Sequence, residues 1–536
     1  MILPAPSRPH RRCDASVIGV VMGSLLLAAV SLWFAAPHGV HSMITHHAAD
    51  DRGEALSGTW RERMLQGRER LGTSRPWRTG TAPIPANSHC SHDMFPNDTA
   101  AYWSCKAQFS MQQNWFPDPL NGFYSYETWN GFDGFWQNGA VLEAFANFAY
   151  YANHTRYLSV VKNSYRELWD LKLAYGPIPS YDDLAWYGLS YARIYEVFGF
   201  PDFLQVSQQL LDLCYVRGWD TNETCGGGYW FDSYNQKKQC ITDLQLMHLS
   251  GRLFRLTGST NETLKNLTLR TWRYLERQNM VNNETFLVSD GMNMHPQNCT
   301  PMNEYGPSYN MGVMIGGLIE LSHMLNDSDY IELAHKIANA TIVTYTNEQG
   351  VFVEYCEPNI TTNATANFCD LDQRIFKGLF MRYLRYLMDV SDEPHRQRYH
   401  NFLMGNMAAV LNNTHCEPSV DHCRIQYLDG TPYHNISGPL FGRYWRGPFD
   451  YAAPEQHMAT WELFTAAILP HTRCQGKACG YDPPYPVQPP HKLTCSNDPC
   501  PPNEQCCDYQ DHYTCCVASQ TCGTDGVCHD NGTMAV

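Results

Sequence analysis

A helical pattern that repeats six times is the dominant feature of this chain. Apolar residues at helical spacing begin near six positions, 47 to 81 residues apart: Trp136, Asp183, Ile241, Asn310, Arg374 and Glu455. Each start is followed by a second helix-like stretch; examples are Thr155–Leu173, Asp202–Val216, Glu262–Gln278, Ser328–Tyr345 and Glu393–Leu411. Because the alternation typical of strands is nearly absent, the pattern predicts an all-α fold of eleven or twelve helices arranged in hairpins.

Long loops between these hairpins favour a closed (α/α)6 toroid, because such barrels gather their active-site loops at one end. An open solenoid of helix pairs fits the periodicity alone. The main domain is expected over residues 88–473. Hydrophobic residues make up 43% of the 536-residue chain. This content is enough for a packed core and excludes a chain that is disordered throughout.

An uncharged run at residues 17–36 follows three arginines, Arg8, Arg11 and Arg12. Twenty such residues can span a bilayer, and the basic flank predicts that residues 1–16 stay in the cytosol. A signal anchor is favoured, which makes the chain a single-pass type II membrane protein with a lumenal or extracellular main domain. A cleaved signal peptide, giving a secreted protein, is the alternative. Residues 37–87 are polar and rich in arginine, and we interpret them as a stem.

Twenty of the 21 cysteines lie beyond the predicted span, and this even number predicts that they are largely oxidised to disulfides. Fourteen N-x-[ST] sequons lie there too and predict a glycosylated surface: Asn97, Asn153, Asn222, Asn261, Asn266, Asn283, Asn298, Asn326, Asn339, Asn359, Asn363, Asn412, Asn435 and Asn531. The net charge of −15 argues against nucleic acid as a partner, because phosphate binding needs a basic surface.

Eight cysteines fall within residues 495–528, after a linker at residues 480–494 that holds five prolines. A segment this short has little room for a hydrophobic core, so disulfides are expected to hold it together. Zinc binding is the competing interpretation, but adjacent cysteine pairs fit the usual ligand spacing poorly. The paired-cysteine rhythm resembles a truncated granulin repeat. Binding of a protein or glycan partner is the role considered for this module.

Two adjacent carboxylates, Asp182 and Asp183, open one of the predicted helices and are the strongest candidate for a catalytic site. Like charges raise the pKa of one carboxyl group, and a helix N-terminus lowers that of the other. Such a pair can supply the acid and the nucleophile of glycoside hydrolysis. A capping pattern of Ser180 with Asp183 is the structural alternative. The aspartate cluster of terpenoid synthases is a further alternative, but it is incomplete because Trp186 stands at its fifth position.

Three glycines, Gly226 to Gly228, precede Trp230 in the loop before the third hairpin. Glycines let the backbone approach a ligand closely, and a tryptophan ring can stack on a sugar. A plain tight turn fits this local sequence equally well.

Five motifs, in this order along the chain, resemble glycoside hydrolase family 76: Trp136-Gln137, Tyr181-Asp182-Asp183-x-Ala185-Trp186, Gly226-Gly227-Gly228-x-Trp230, Tyr309-Asn310-x-Gly312-Val313 and Phe376-Lys377-Gly378-Leu379-Phe380-x-Arg382-Tyr383-Leu384. The resemblance covers most of residues 130–470. That family comprises α-1,6-mannanases and fungal cell-wall relatives proposed to be transglycosidases. The resemblance implies an (α/α)6 barrel and a retaining mechanism in which Asp182 is the nucleophile and Asp183, kept protonated by its neighbour, is the acid/base.

The resemblance implies an endo-acting α-1,6-mannan hydrolase, whose substrate is a mannose-containing polysaccharide or glycan. Contacts to it are expected from Trp136, Gln137, Trp186, Gly227, Gly228, Trp230, Tyr309, Asn310 and Lys377. Neither a metal nor another cofactor is expected. The chain departs from the family pattern at Gln239 and Asp243, where many members carry asparagine. A transglycosidase of cell-wall or surface mannan and a non-catalytic glycan-binding surface protein are the alternative functions.

Overall fold

The computed structural model describes most of the predicted main domain. The described residues are 90–115, 135–164, 180–295, 298–302, 305–357, 369–416, 438–476 and 479, together with four short strands between residues 504 and 530. The predicted cytosolic tail, membrane span and stem, and the linker at residues 480–494, lie outside these ranges. None of the helices in the described ranges combines the length and the apolar content that a bilayer crossing needs.

Twelve α-helices lie within the described ranges. They are α1 Thr99–Trp115, α2 Phe135–Ala152, α3 Leu158–Asn163, α4 Tyr181–Phe198, α5 Pro201–Gly218, α6 Cys240–Leu256, α7 Glu262–Arg277, α8 Ser308–Leu325, α9 Asp329–Tyr345, α10 Gln373–Val390, α11 Glu393–Leu411 and α12 Pro454–Ala466. Two short 3-10 helices cover His92–Met94 and Thr224–Gly226.

Six helices form a closed inner ring: α2, α4, α6, α8, α10 and α12 each pack against the next, and α12 packs against α2. Hairpin partners run antiparallel, so the six inner helices share one direction and their N-termini lie at the same end of the ring. The closed ring confirms the predicted all-α (α/α)6 toroid and excludes the open solenoid. All six starts of the sequence pattern fall on inner helices.

The outer layer differs from the sequence prediction at one position. Helices α5, α7, α9 and α11 begin and end within two residues of the predicted second stretches. The outer partner of the last inner helix, α12, is α1 from the beginning of the domain. The first helix therefore closes the ring, a pairing that the local periodicity does not reveal. Of the stretch predicted over residues 155–173, α3 covers Leu158–Asn163, and residues 165–173 lie outside the described part.

A network of buried and half-buried charges crosses the ring. Glu143 on α2 accepts hydrogen bonds from Arg252 on α6 and Arg382 on α10, each at 2.8 Å, and from the Tyr386 hydroxyl at 2.8 Å. Further pairs extend the network to the remaining inner helices: Arg382–Glu462, Arg252–Glu320, Arg255–Glu320 and Arg255–Glu196. Because buried charges are costly without partners, this network ties all six inner helices together.

The described strands form three antiparallel pairs. In the main domain, β1 Met292–His295 pairs with β2 Asn298–Pro301. In the cysteine-dense segment, β3 Glu504–Tyr509 pairs with β4 His512–Val517, and β5 Gln520–Cys522 pairs with β6 Cys528–Asp530. The first hairpin therefore lies within the predicted module at residues 495–528, and the second extends two residues beyond it, to Asp530.

Most of the described cysteines of the main domain are oxidised. Four disulfides join Cys90–Cys105, Cys225–Cys299, Cys356–Cys369 and Cys474–Cys479, and Cys416 is disulfide-bonded as well. Cys214 and Cys240 are buried free thiols. An even number of cysteines is compatible with complete pairing and equally with two free thiols. The count alone therefore could not identify Cys214 and Cys240 as unpaired.

Candidate active site

Asp182 and Asp183 lie in the first turn of α4, at the end of the ring where the inner helices begin. Ser180 is the N-cap residue of this helix, but its side chain makes no capping hydrogen bond. A hydrogen bond joins the Ser180 side chain to the Asp182 carboxylate instead. The capping hydrogen bond that the sequence offers for Ser180 is therefore absent.

The Asp182 side chain is half-buried, and one of its carboxylate oxygens is shielded from solvent. Its Oδ1 atom is buried and has no hydrogen-bond partner in the described part of the chain. Burial, followed by the charge of Asp183, raises the pKa of Asp182 well above its usual range. The sequence predicts that Asp183 keeps the proton, whereas the structure raises the pKa of Asp182, because burial outweighs the hydrogen bond from Ser180. The pair thus retains a proton at pH values where isolated aspartates are ionised.

Four aromatic rings from four inner helices stand beside the pair: Trp136, Trp186, Tyr309 and Phe376. The ring centres of Trp136 and Trp186 are 5.5 Å apart, and those of Trp186 and Tyr309 are 6.4 Å apart. Tyr309 stacks on Phe376 at 4.0 Å. The four rings form one aromatic wall, in which Trp136, Trp186 and Phe376 are buried and Tyr309 is half-buried.

Three carboxylates lie around the Tyr309 phenol. Burial raises the pKa of Tyr309 well above its usual value, and the charges of Asp290, Asp182 and Asp372 raise it further. The phenol is therefore held protonated, as a hydrogen-bond donor. Asp290 Oδ1 accepts from Asn310 Nδ2 at 3.0 Å, and burial raises the pKa of Asp290. No local sequence motif singles out Asp290 or Asp372.

Asp372 joins the start of α10 to the start of α2. Its Oδ1 atom accepts hydrogen bonds from Trp136 Nε1 at 2.8 Å and from Gln137 Nε2 at 2.7 Å. Both predicted contact residues are therefore fixed in position by one carboxylate. A second polar group fixes Trp186: the Gln245 amide, oriented so that both of its atoms are paired, accepts from Trp186 Nε1 at 3.0 Å and donates to the Asp182 carbonyl oxygen at 3.2 Å.

The glycine loop lies directly beside the aspartate pair. The Tyr181 amide, one residue before Asp182, donates to the Phe231 carbonyl at 2.8 Å. Gly227 and Gly228 are buried and have φ values of +106° and +85°, which L side chains rarely adopt. The Cys225–Cys299 disulfide joins the loop to β2. The glycines therefore shape the loop that follows them, and Trp230 is half-buried at its end.

Residues in the region of the family departures hold this loop. Lys238 Nζ donates to the Gly227 carbonyl at 2.5 Å and pairs with Asp220 at 2.9 Å. It also lies 4.5 Å from the ring centre of Trp230. Asp243 accepts from the Tyr229 amide at 2.9 Å, and burial raises its pKa to about 7. In this chain, Asp243 therefore supports the backbone of the glycine loop.

Lys377 differs from the other predicted contact residues. It is only 2% exposed, and its Nζ atom lies 2.6 Å from Glu357 Oε1 and 2.6 Å from the Arg443 carbonyl oxygen. Burial lowers its pKa, although Glu357 opposes the shift. These protein groups occupy its ammonium, and none of its described contacts joins it to Asp182 or Asp183.

The structure thus gathers Trp136, Gln137, Trp186, Tyr309 and Asn310 near the aspartate pair, with the glycine loop at one side. Within the described ranges, no group of three or more histidine, cysteine, aspartate or glutamate side chains is arranged to hold a metal ion. The arrangement offers a proton-sharing carboxyl pair beside an aromatic wall, with further carboxylates as hydrogen-bond acceptors.

Comparisons with known proteins identify similar chains. Mannan endo-1,6-alpha-mannosidase DCW1 of Candida glabrata is 29% identical over 204 residues, which cover 37% of this chain and 43% of that protein. This chain therefore spans less than half the length of that curated relative. The GH76A alpha-1,6-mannanase from Salegentibacter sp. HEL1_6 has a TM-score of 0.54 at 17% identity, over 69% of this chain and 98% of its own.

An inactive variant of that same mannanase, with two consecutive aspartates changed to asparagine, is a second structural neighbour. It was solved in complex with alpha-1,6-mannotriose and has a TM-score of 0.54 at 16% identity, over 69% of this chain and 99% of its own. At these identities the two structures show a shared fold. The family model for glycosyl hydrolase family 76 matches residues 98–473, which is well over half of the sequence. This chain belongs to glycosyl hydrolase family 76.

Proposed function

We propose that this protein is a retaining glycosidase that cleaves α-1,6-linked mannose polysaccharide or glycan. The observation that carries the proposal is the half-buried pair Asp182 and Asp183 at the start of α4, in which the pKa of Asp182 is raised, beside the wall of Trp136, Trp186 and Tyr309. Family membership supports it, as do the mannosidase name of the Candida glabrata relative and the inactive variant with two changed aspartates.

In this mechanism, Asp182 attacks the anomeric carbon while Asp183 donates its proton to the leaving oxygen. The bond to the leaving sugar breaks, and a covalent mannosyl–Asp182 ester forms. Asp183, now ionised, takes a proton from a water molecule, whose oxygen attacks the anomeric carbon while the ester bond to Asp182 breaks. This step releases a mannosyl product with a new reducing end and restores the pair. An acceptor sugar that replaces the water would give transfer instead of hydrolysis by the same two steps.

The spacing of the pair supports retention of configuration. Consecutive Cα atoms are about 3.8 Å apart, and retaining sites need about 5–5.5 Å between carboxyl groups, whereas inverting sites need about 6.5–9.5 Å. The pair holds one proton, which must lie on Asp183 when substrate is bound. Positive charge that develops at the anomeric carbon favours this, because it stabilises an ionised Asp182.

The test is turnover of α-1,6-mannan by the purified protein, followed by release of reducing ends and by NMR of the first product. We expect the α-anomer to appear first. Asp182→Asn and Asp183→Asn should each abolish turnover. Asp202→Asn, which changes an exposed aspartate in the first turn of α5, is the matched control and should leave the rate unchanged. A β-anomer would contradict the retaining mechanism, and an active double variant would contradict the site.

The cellular setting is also a proposal. A membrane anchor at residues 17–36 would hold the domain on the lumenal or extracellular side, where its disulfides are stable. Sequencing the N-terminus of the mature protein tests this, because a start after residue 36 would identify a cleaved signal peptide.

We further propose that the module at residues 495–528 binds a protein or glycan partner. The test is to delete the module and to compare the glycans bound by the shortened and the full-length proteins.

A further inference from the structure

An exposed aromatic patch lies at the active-site end of the ring. Among the exposed large hydrophobic side chains in the described ranges, Tyr355 is 51% exposed, and Tyr305 and Met302 are each 38% exposed. The Met302 amide donates to the Gly291 carbonyl at 2.8 Å. Because Gly291 directly follows Asp290 in the sequence, Met302 lies close to Asp290. The negative charge of Asp290 acts on Tyr355 as well as on Tyr309. The patch therefore borders the carboxylate cluster of the candidate active site.

Tyr355 is held firmly although half of it faces solvent. Its hydroxyl accepts from Gln373 Nε2 at 3.0 Å, and Gln373 opens α10 directly after Asp372. The preceding residue, Glu354, accepts from the Ser308 amide at the start of α8 at 3.1 Å, and the following residue forms the Cys356–Cys369 disulfide. The chain thus fixes an aromatic ring between two inner-helix N-termini without burying it.

The second tyrosine of the patch is fixed in a similar way. Tyr305 makes an edge contact with Tyr345 at 6.0 Å between ring centres. The next residue, Gly306, accepts a hydrogen bond from the Tyr345 hydroxyl at 2.5 Å, and its amide donates to the Val288 carbonyl at 2.7 Å. Rigid, exposed tyrosines beside carboxylates provide flat apolar faces together with acceptors for hydroxyl groups, which is the chemistry that a pyranose ring needs.

We propose that Tyr355, with Tyr305 beside it, forms an additional subsite that binds a mannosyl unit of the substrate chain beyond the units at the scissile bond. This inference rests on the proposed function and adds to it a preference for long chains. The sugar stacks on the Tyr355 ring, and its hydroxyl groups donate to the neighbouring carboxylates. Binding energy from this remote unit then favours longer oligosaccharides over shorter ones.

The test measures binding of α-1,6-mannotetraose and α-1,6-mannobiose by calorimetry, using the full chain with Asp183→Asn to prevent turnover. Tyr355→Ala should weaken binding of the tetraose about tenfold, which corresponds to about 1.4 kcal/mol, and leave the biose nearly unchanged, because only the longer chain reaches the stacking contact. Tyr355→Phe keeps the ring and should lie within about twofold of the parent. Tyr150→Ala removes a 55% exposed tyrosine from the C-terminal part of α2, at the opposite end of the ring, and should have no effect.

Tyr355→Leu, which keeps apolar bulk without a flat face, provides a second variant should the alanine variant not fold, and it should lose tetraose affinity in the same way. Equal losses for both oligosaccharides, or no loss for either, would overturn the subsite while the proposed function stands. If the parent binds neither oligosaccharide and the unmodified protein releases no reducing ends from α-1,6-mannan, the proposed function fails and the subsite fails with it.

Discussion

At the residue scale, the Asp182 carboxylate places function and stability in opposition. The folded protein raises the pKa of this group, so folding favours its protonated form. The sign follows from linkage: the stabilisation is fully present below the pKa of the unfolded state and is lost as the pH rises towards the folded pKa. Near neutral pH the unfolded chain ionises this carboxyl group, whereas the folded protein resists its ionisation, so Asp182 lowers the stability there, a cost that a structural helix cap would not carry.

Asp182→Asn, which mimics the protonated carboxyl group, should raise the free energy of unfolding by roughly 1–3 kcal/mol at about pH 7 and by much less at about pH 3. Thermal unfolding of both proteins at the two pH values measures the difference. A variant that is less stable than the parent at neutral pH would mean that Asp182 serves the helix rather than catalysis.

Individual residues also show how far the sequence predicts the site. Asp182 and Asp183 were identifiable because an acidic pair before an apolar helix is a local signal. Asp290 and Asp372 were not, because each meets Asn310 or Trp136 only after the ring has closed. Lys377 stands in a family motif, but a motif does not reveal that Glu357 occupies its ammonium.

At the scale of single elements, the glycine loop depends on two separate properties of Gly228. Its φ of +85° disfavours any L side chain, and an added Cβ atom would lie 2.4 Å from Tyr274 Cε1. Gly350 has a similar φ of +80° but no neighbour within 4 Å of such an atom. The two positions therefore separate backbone strain from the steric clash.

We expect Gly350→Ala to lower the free energy of unfolding by about 1 kcal/mol, from backbone strain alone. Gly228→Ala should cost roughly 1–3 kcal/mol more, because the ring of Tyr274 has to move. Urea unfolding measures both values. Equal costs would show that the loop accommodates the methyl group and that its shape does not require glycine at this position.

At the scale of the whole molecule, the ring is held by charges that the sequence pattern does not connect. The periodicity of apolar residues located all six inner helices, because it is a local property of each segment. It did not assign α1 to α12, which are separated by most of the domain, nor did it connect Glu143 with Arg252 and Arg382. Such long-range pairings arise only when the toroid closes.

Glu143→Gln should lower the free energy of unfolding by about 3–5 kcal/mol, because Arg252 and Arg382 would then be buried without full compensation. Glu262→Gln is the surface control: its pair with Lys265 spans 3.7 Å at an exposed site, so its loss should cost under about 1 kcal/mol. Thermal or urea unfolding distinguishes the two variants. A mild effect of Glu143→Gln would contradict the role of the network in closing the ring.

The two free thiols allow a separate test of the covalent framework. Alkylation of the unreduced, denatured protein should label Cys214 and Cys240, whereas the native protein should label neither, because both are buried and burial raises the pKa of each thiol. Peptide mass spectrometry reads the labelled positions. Labelling of Cys225, Cys299 or another bonded cysteine would contradict the described pairing.

The most direct test of the central claim is to trap the covalent intermediate. A fluorinated mannosyl fluoride that forms the ester quickly and hydrolyses slowly should add one mannosyl group to the protein. Peptide mapping should find it on Asp182, and Asp182→Asn should remain unlabelled. A label on Asp183, Asp290 or Asp372, or inhibition without any covalent adduct, would contradict the assignment of Asp182 as the nucleophile of this domain.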